Sequence, residues 1–156
     1  MKQEQLVAQM TPLLKEKYLL FKQVMDSVGN PFLLREVLRT PQVQAAYWAQ
    51  GRLELAEVNA LRKDAGLAPI GASENKYQIT WTHNSRHFAG ADGLGSAFDI
   101  VLLKNGQPTW DTKWDSNDQD LIPEYLEAAR IGHEVGLDAG GLWTKRADYP
   151  HFSLGG

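Results

Sequence analysis

The sequence contains no cysteine. Disulfides, a thiol nucleophile and thiolate metal ligands are therefore excluded, and any metal centre must be built from His, Asp and Glu. Long apolar runs are missing too: no stretch approaches the ~20 apolar residues that span a bilayer. Met1 to Met10 is polar and mixed in charge, without the basic segment and apolar run of a secretory signal. Synthesis in the cytoplasm with no membrane insertion is the expectation. Excess positive charge is also absent. Lys and Arg number 16 against 19 Asp and Glu, a net charge of -3, which argues against nucleic acid as the main partner. There is no internal repeat and no low-complexity tract.

What is there is an ordinary globular composition. The chain has 156 residues, 43% hydrophobic and 22% charged, about one domain with enough length to bury a core. We read residues 1–156 as a single domain: an N-terminal helical segment, 1–31, before a core, 32–154.

Helical spacing opens the chain. Leu6, Met10, Leu13, Leu14, Phe21, Val24, Met25 and Val28 recur at threes and fours. Thr11-Pro12 reads as an N-cap with proline at the first helical position, and Gly29 as a C-cap before Pro31. Phe32 to Arg39 is a strand candidate. Thr40-Pro41 repeats the capping signature, which predicts a helix over Pro41 to Gln50. Leu55, Val58 and Leu61 predict another, ending near Gly66, and Ala68 to Asn75 reads as a loop. Tyr77, Ile79 and Trp81 alternate with polar residues, as in a strand. Ala97 to Leu103 is a second strand, Asn105-Gly106 a tight turn, and Gln107 to Asp111 the returning arm. Asp111 to Asp120 reads as an acidic loop. Pro123 to Val135 is a helix stopped by Gly136, Asp138 to Gly141 a turn, and Tyr149 to Leu154 a last strand before a Gly155-Gly156 tail. Helices followed by short strands give an α+β fold, with N-terminal helices packed on a small, mostly antiparallel sheet.

Four histidines occur: His83, His87, His133 and His151. His87, Asp99 and His151 each sit where a predicted strand begins or has just ended. A catalytic zinc takes three such ligands and leaves a position for water. It lowers the pKa of that water and polarises the carbonyl under attack. A nearby carboxylate must then move the proton to the leaving amine, and Asp148, three residues before His151, is a candidate. Spacing alone leaves open whether these residues meet. His133, on a helix beside Glu134, reads as an ordinary surface histidine, and His83 as a residue at the rim of a cleft.

Ser85-Arg86-His87 with Gly95-Ser96-Ala97-Phe98-Asp99 resembles the Ser-x-His-x-x-Gly-x-Ala-x-Asp motif. That motif marks the zinc peptidases of peptidoglycan: D-Ala-D-Ala carboxypeptidases and dipeptidases, and the phage L-alanyl-D-glutamate endolysins. Gly140-Gly141-Leu142-Trp143 and Asp148-Tyr149-Pro150-His151-Phe152 look like the family's closing segment. Leu38-Arg39-Thr40-Pro41 with Gln44, Tyr47 and Ala49-Gln50-Gly51-Arg52 is similar to its arginine-bearing strand-to-helix turn. The likeness runs from Phe32 to Leu154.

The resemblance implies His87, Asp99 and His151 as ligands of one Zn2+ and Asp148 as the general base. It implies Arg39 as a cation facing substrate and the developing oxyanion, and Ser85 as an aid in placing substrate. The implied partner is the peptide stem of peptidoglycan. L-alanyl-D-glutamate is the first choice of bond and D-Ala-D-Ala the second. The implied setting is a monomeric endolysin that reaches the wall after the membrane is opened. Its alternative is an impaired peptidoglycan-binding or structural phage protein on the same fold.

The chain departs from the motif in one place. His87 and Asp99 stand twelve positions apart instead of seven, so Phe88 to Leu94 carries five extra residues. The expectation is an outward loop, with Asp99 rather than Asp92 as the ligand. Asp115-Ser116-Asn117-Asp118-Gln119-Asp120 has the alternating carboxylates and amides that begin a calcium loop. It lacks the turn glycine and the closing glutamate, and a solvated acidic loop is the preferred reading over a Ca2+ site.

Overall fold

The computed structural model describes residues 1–116, 118 and 120–155. Asn117 and Gln119 of the acidic loop and Gly156 of the tail lie outside the described residues. In chain order the elements are α1 (Gln3–Ala8), α2 (Pro12–Ser27), β1 (Phe32–Glu36), α3 (Pro41–Ala49), α4 (Leu55–Asp64), β2 (Ala97–Lys104), β3 (Gln107–Thr109), α5 (Glu124–Glu134), β4 (Leu137–Ala139) and β5 (His151–Leu154), with 3-10 turns at Glu74–Lys76 and Gly140–Leu142. They group into two compact units, one of Met1–Leu38 with Gly90–Gly156 and one of Arg39–Ala89. This is the expected α+β class.

In the first unit, α2 starts where its capping chemistry says. The Thr11 side chain accepts from Leu14 N at 3.1 Å and Pro12 fills the first helical position. Thr11 is extended, at φ -59 and ψ 156, so the apolar period from Leu6 to Val28 is carried by two helices and not one. The cap that starts α2 is what ends α1. Leu14, Tyr18, Phe21 and Met25 form the buried stripe of α2. Gly29, at φ +71, lets the chain turn out of the helix.

The sheet has the order β1-β2-β5-β4, every pair antiparallel, with β3 also paired to β2. Along β2, Phe98, Ile100 and Leu102 enter the core with the stripe of α2, with Tyr125, Ala128 and Ala129 of α5, and with Phe152 of β5. Strand alternation puts Asp99 and Val101 on the opposite face. Gly132 is what allows α5 to sit this close. A Cβ there would overlap the Phe152 ring. Gly132→Ala is therefore expected to lower unfolding free energy by roughly 1–3 kcal/mol despite its better helix propensity. A denaturation midpoint at or above that of the parent chain would refute this packing argument.

Two expectations need correction. Tyr77 to Trp81 forms no strand. Tyr77 is 69% exposed, and Ile79 and Trp81 are 51% exposed, so the alternation has no buried face to pin it, and a strand needs both a covered face and a partner edge. Conversely, the strand Leu137–Ala139 takes in the first two residues of the turn predicted from Asp138 to Gly141. It is three residues long and pairs in register with β5, Leu137 to Leu154 and Ala139 to Phe152. A segment that short shows no period. The hairpin at Asn105-Gly106 forms as expected, with φ of 52 and 78 at the two turn residues.

In the second unit, α3 is capped by the Thr40 side chain, which accepts from Val43 N at 3.2 Å, and packs on α4. Gly51, at φ +79, abuts the backbone of Tyr77 and Gln78.

Candidate metal centre

Asp99 and His151 are cross-strand partners, one on β2 and one on β5. The register that places Phe98 against Phe152 in the core also sets the carboxylate beside the imidazole on the opposite face. Asp99 Oδ1 lies 3.4 Å from His151 Nδ1, with side chains 21% and 9% exposed. A charge-assisted hydrogen bond is shorter, at ~2.7–2.9 Å. Two ligands on a tetrahedral zinc with bonds of ~2.0–2.1 Å stand about 3.4 Å apart. The donor types and their separation thus fit two ligands of one metal ion.

The segment leading into β5 is built on glycines. A Cβ on Gly140 would overlap the Asp148 carbonyl oxygen, and one on Gly141 would come to 2.7 Å from Ala129 Cβ and 2.9 Å from Tyr149 Cδ1. Their lack of side chains lets the chain fold back, and Asp148 N donates to Gly140 O at 2.9 Å. His151 N then donates to Asp148 O at 3.1 Å, and Pro150 O accepts from Ile100 N at 3.0 Å. Asp148 and His151 are thereby held at the two ends of one turn. Asp148 stays exposed. The Trp143 ring lies 5.3 Å from the His151 ring, and its Nε1 donates to Asp138 Oδ1 at 2.9 Å. Trp143 braces the imidazole, a role that sequence reasoning gave it only as part of a motif.

Three other predicted residues gather in the second unit. His87 is 2% exposed. Its N–H donates to Ser85 Oγ at 3.1 Å, and Phe88 N donates to Ser85 O at 3.1 Å, so Ser85 shapes the turn that presents the histidine. His87 O accepts from Arg39 N at 2.9 Å, which ties the two candidates together. The Arg39 guanidinium lies 5.0 Å over the Tyr47 ring and donates from Nη1 to Gln44 Oε1 at 2.8 Å. Gln44 is 1% exposed and donates from Nε2 to Thr80 Oγ1 and Thr82 O. Gln44 is thus a positioning residue for Arg39, one turn along α3; its place in the arginine motif was the available signal.

His133 is exposed on α5, as expected, and His83 is exposed with its ring 4.2 Å from that of Trp48. Gly90 to Leu94 closes on itself as an exposed turn, Gly90 N donating to Leu94 O and Leu94 N to Asp92 Oδ1. That bond engages Asp92 in its own loop, while Asp99 shares a ladder rung with His151. Among the described residues, Asp115, Asp118, Asp120 and Glu124 bring carboxylate oxygens within 4.8 Å of one another. These oxygens cap their own loop: Asp118 Oδ1 accepts from Asp120 N, Asp120 Oδ1 from Ile122 N, and Glu124 Oε1 from Ser116 N.

The same cluster affects Glu127. Burial, then its hydrogen bond with Asp120 and the charges of Glu124 and Asp120, push its carboxyl up to about 7, against a pull from the Asn30 amide. Between its ordinary 4.5 and about 7, the folded protein holds a proton that the unfolded chain has released. Stability from this group therefore falls as pH rises through that window. Glu127→Gln should raise Tm at pH 8 and leave it nearly unchanged at pH 4. A lower Tm for the variant at pH 8 would show that the ionised carboxylate is stabilising.

Residues 79–154 match the D-alanyl-D-alanine carboxypeptidase family of peptidases. That stretch is similar to this family. It holds Ser85, His87, Asp99, Asp148 and His151, so the likeness read from the motifs stands. The chain is also 24% identical over 144 residues to the peptidoglycan L-alanyl-D-glutamate endopeptidase CwlK of Bacillus subtilis (strain 168), covering 92% of this chain and 72% of the relative. Its fold matches the crystal structure of the Serratia marcescens L-Ala D-Glu endopeptidase ChiX, with TM-score 0.57 and 21% identity, over 98% of this chain and 86% of the other. Peptidases of this family are metallopeptidases.

Proposed function

We propose that this protein is a zinc metallopeptidase that hydrolyses an amide bond in the peptide stem of bacterial peptidoglycan, with L-alanyl-D-glutamate as the bond cut. The observation that carries the reading is the 3.4 Å separation of Asp99 Oδ1 and His151 Nδ1 across paired strands. Its substrate is supported by the likeness of residues 79–154 to that family and by the activities of the two relatives.

The ion would be held by His87, Asp99 and His151, two imidazoles and a carboxylate of the kind that can hold a metal. Zinc there supplies Lewis acidity, polarising the amide carbonyl and acidifying a water. Asp148 takes the proton from the attacking water and passes it to the leaving amine. Arg39, fixed by Gln44 and Tyr47, presents its guanidinium to the developing oxyanion. A D-Ala-D-Ala cut is the second reading, favoured by the description of the matching family. As a monomeric endolysin, the protein would be made in the cytoplasm of an infected cell and act on the wall after the membrane opens.

Elemental analysis of the purified protein beside His151→Ala tests the centre. About one zinc per chain is expected, lost in the variant. Chelation should lower Tm and added zinc restore it, because a ligand that binds only the folded state stabilises it. Absence of zinc from both proteins after metal is supplied would overturn the reading. Mass analysis of digested muropeptides separates the two bonds, and loss of turbidity from cells stripped of their outer membrane tests the lytic role.

A further inference from the structure

Beyond the metal ligands, the face of the sheet that carries Asp99 and His151 holds a second feature. Opposite Val101 and Asp99 on β1 stand Leu33 and Glu36, and the register slips between Leu34 and Glu36, which leaves Arg35 as the extra residue. Such irregularities re-aim a side chain. Arg35 is exposed, with its Cζ 6.0 Å from the centre of the Trp110 ring. Trp110 follows β3, where Thr109 pairs with Leu102. One step further in that register brings Trp110 level with Val101. That is two residues along β2 from Asp99, about 7 Å at strand spacing.

The Trp110 indole is 55% exposed. The guanidinium above it has no carboxylate or carbonyl partner among the described residues. A cation–π contact leaves the N–H groups of a guanidinium open, and that fork matches a carboxylate with two parallel hydrogen bonds. D-glutamate has two carboxyl groups. Only one of them can be used in chain linkage, so a stem cut before D-glutamate presents a free anion within one residue of the reacting amide. One or two residues of extended peptide span ~3.5–7 Å, the offset between Asp99 and the Trp110 level.

We propose that Arg35, steadied on Trp110, binds the free carboxylate of the stem residue beside the cut bond and so sets specificity for an acidic residue there. This rests on the peptidase function proposed above. The rival account is a surface cation–π pair with no ligand.

Two synthetic stem peptides separate these accounts. They differ only in whether D-glutamate carries a free carboxylate or a carboxamide. The native protein should show KM about tenfold or more lower for the carboxylate. Arg35→Gln should erase that preference while kcat stays within about threefold, and Arg35→Lys should retain part of it. Equal KM values in the native protein, or an undiminished preference in Arg35→Gln, would overturn the subsite. Either result would leave the peptidase function standing, because cleavage would still be observed. No cleavage of either peptide by the zinc-loaded protein, with no heat of binding, would overturn both.

Discussion

On the proposed reaction, Asp148→Ala should lower kcat for stem-peptide hydrolysis by roughly 10²–10⁴-fold, the usual worth of a positioned proton carrier, with the metal retained. The structure separates this loss from misfolding. The backbone of Asp148 holds the turn: its N–H donates to Gly140 O and its C=O accepts from His151 N. Alanine preserves both bonds. The side chain is exposed at the end of the turn, and Tm measured beside kcat separates loss of chemistry from loss of fold. A kcat within tenfold of the parent, with zinc bound, would remove Asp148 from the reaction.

The second large effect comes from a residue with no side chain. Gly140→Ala drives a methyl group into the Asp148 carbonyl, and backbone cannot rotate aside as a side chain can. The turn from Asp148 to His151 must shift, and a displacement of about 1 Å at a reacting group can cost 10²-fold in rate. Both catalytic rate and zinc affinity should therefore fall. Gly155→Ala is the matched control, since a Cβ there meets nothing within 4 Å. Steady-state kinetics with zinc titration checks this; a Gly140→Ala protein with parental kcat and zinc content would mean that the fold-back tolerates a side chain.

Sequence reading succeeded where local chemistry and period agree. Thr11-Pro12 and Thr40-Pro41 each start a helix through a side-chain cap, and that chemistry lies within four residues. Ala97 to Leu103 could be read because Phe98, Ile100 and Leu102 alternate into a real core. Tyr77 to Trp81 alternates just as well and makes no strand, because burial depends on distant partners that a period does not reveal. The motif made Asp99 and His151 legible as candidate ligands. Their pairing was not legible, because it depends on β5 inserting between β2 and β4 rather than adding at an edge. Arg35 escaped attention for a similar reason: its direction comes from a slip in register that only the paired strands define.

The rung that joins Asp99 to His151 links residues 99 and 151, 52 positions apart. Contacts that close long loops form slowly, because chain entropy is lost before the contact gives anything back. A molecule with α2 packed on β1 and β2 but with β5 undocked would have much of its core and only half of this ladder pair. Catalytic competence in this chain should therefore arrive late in refolding, behind the helical signal, and its time course should follow the docking of one interior strand.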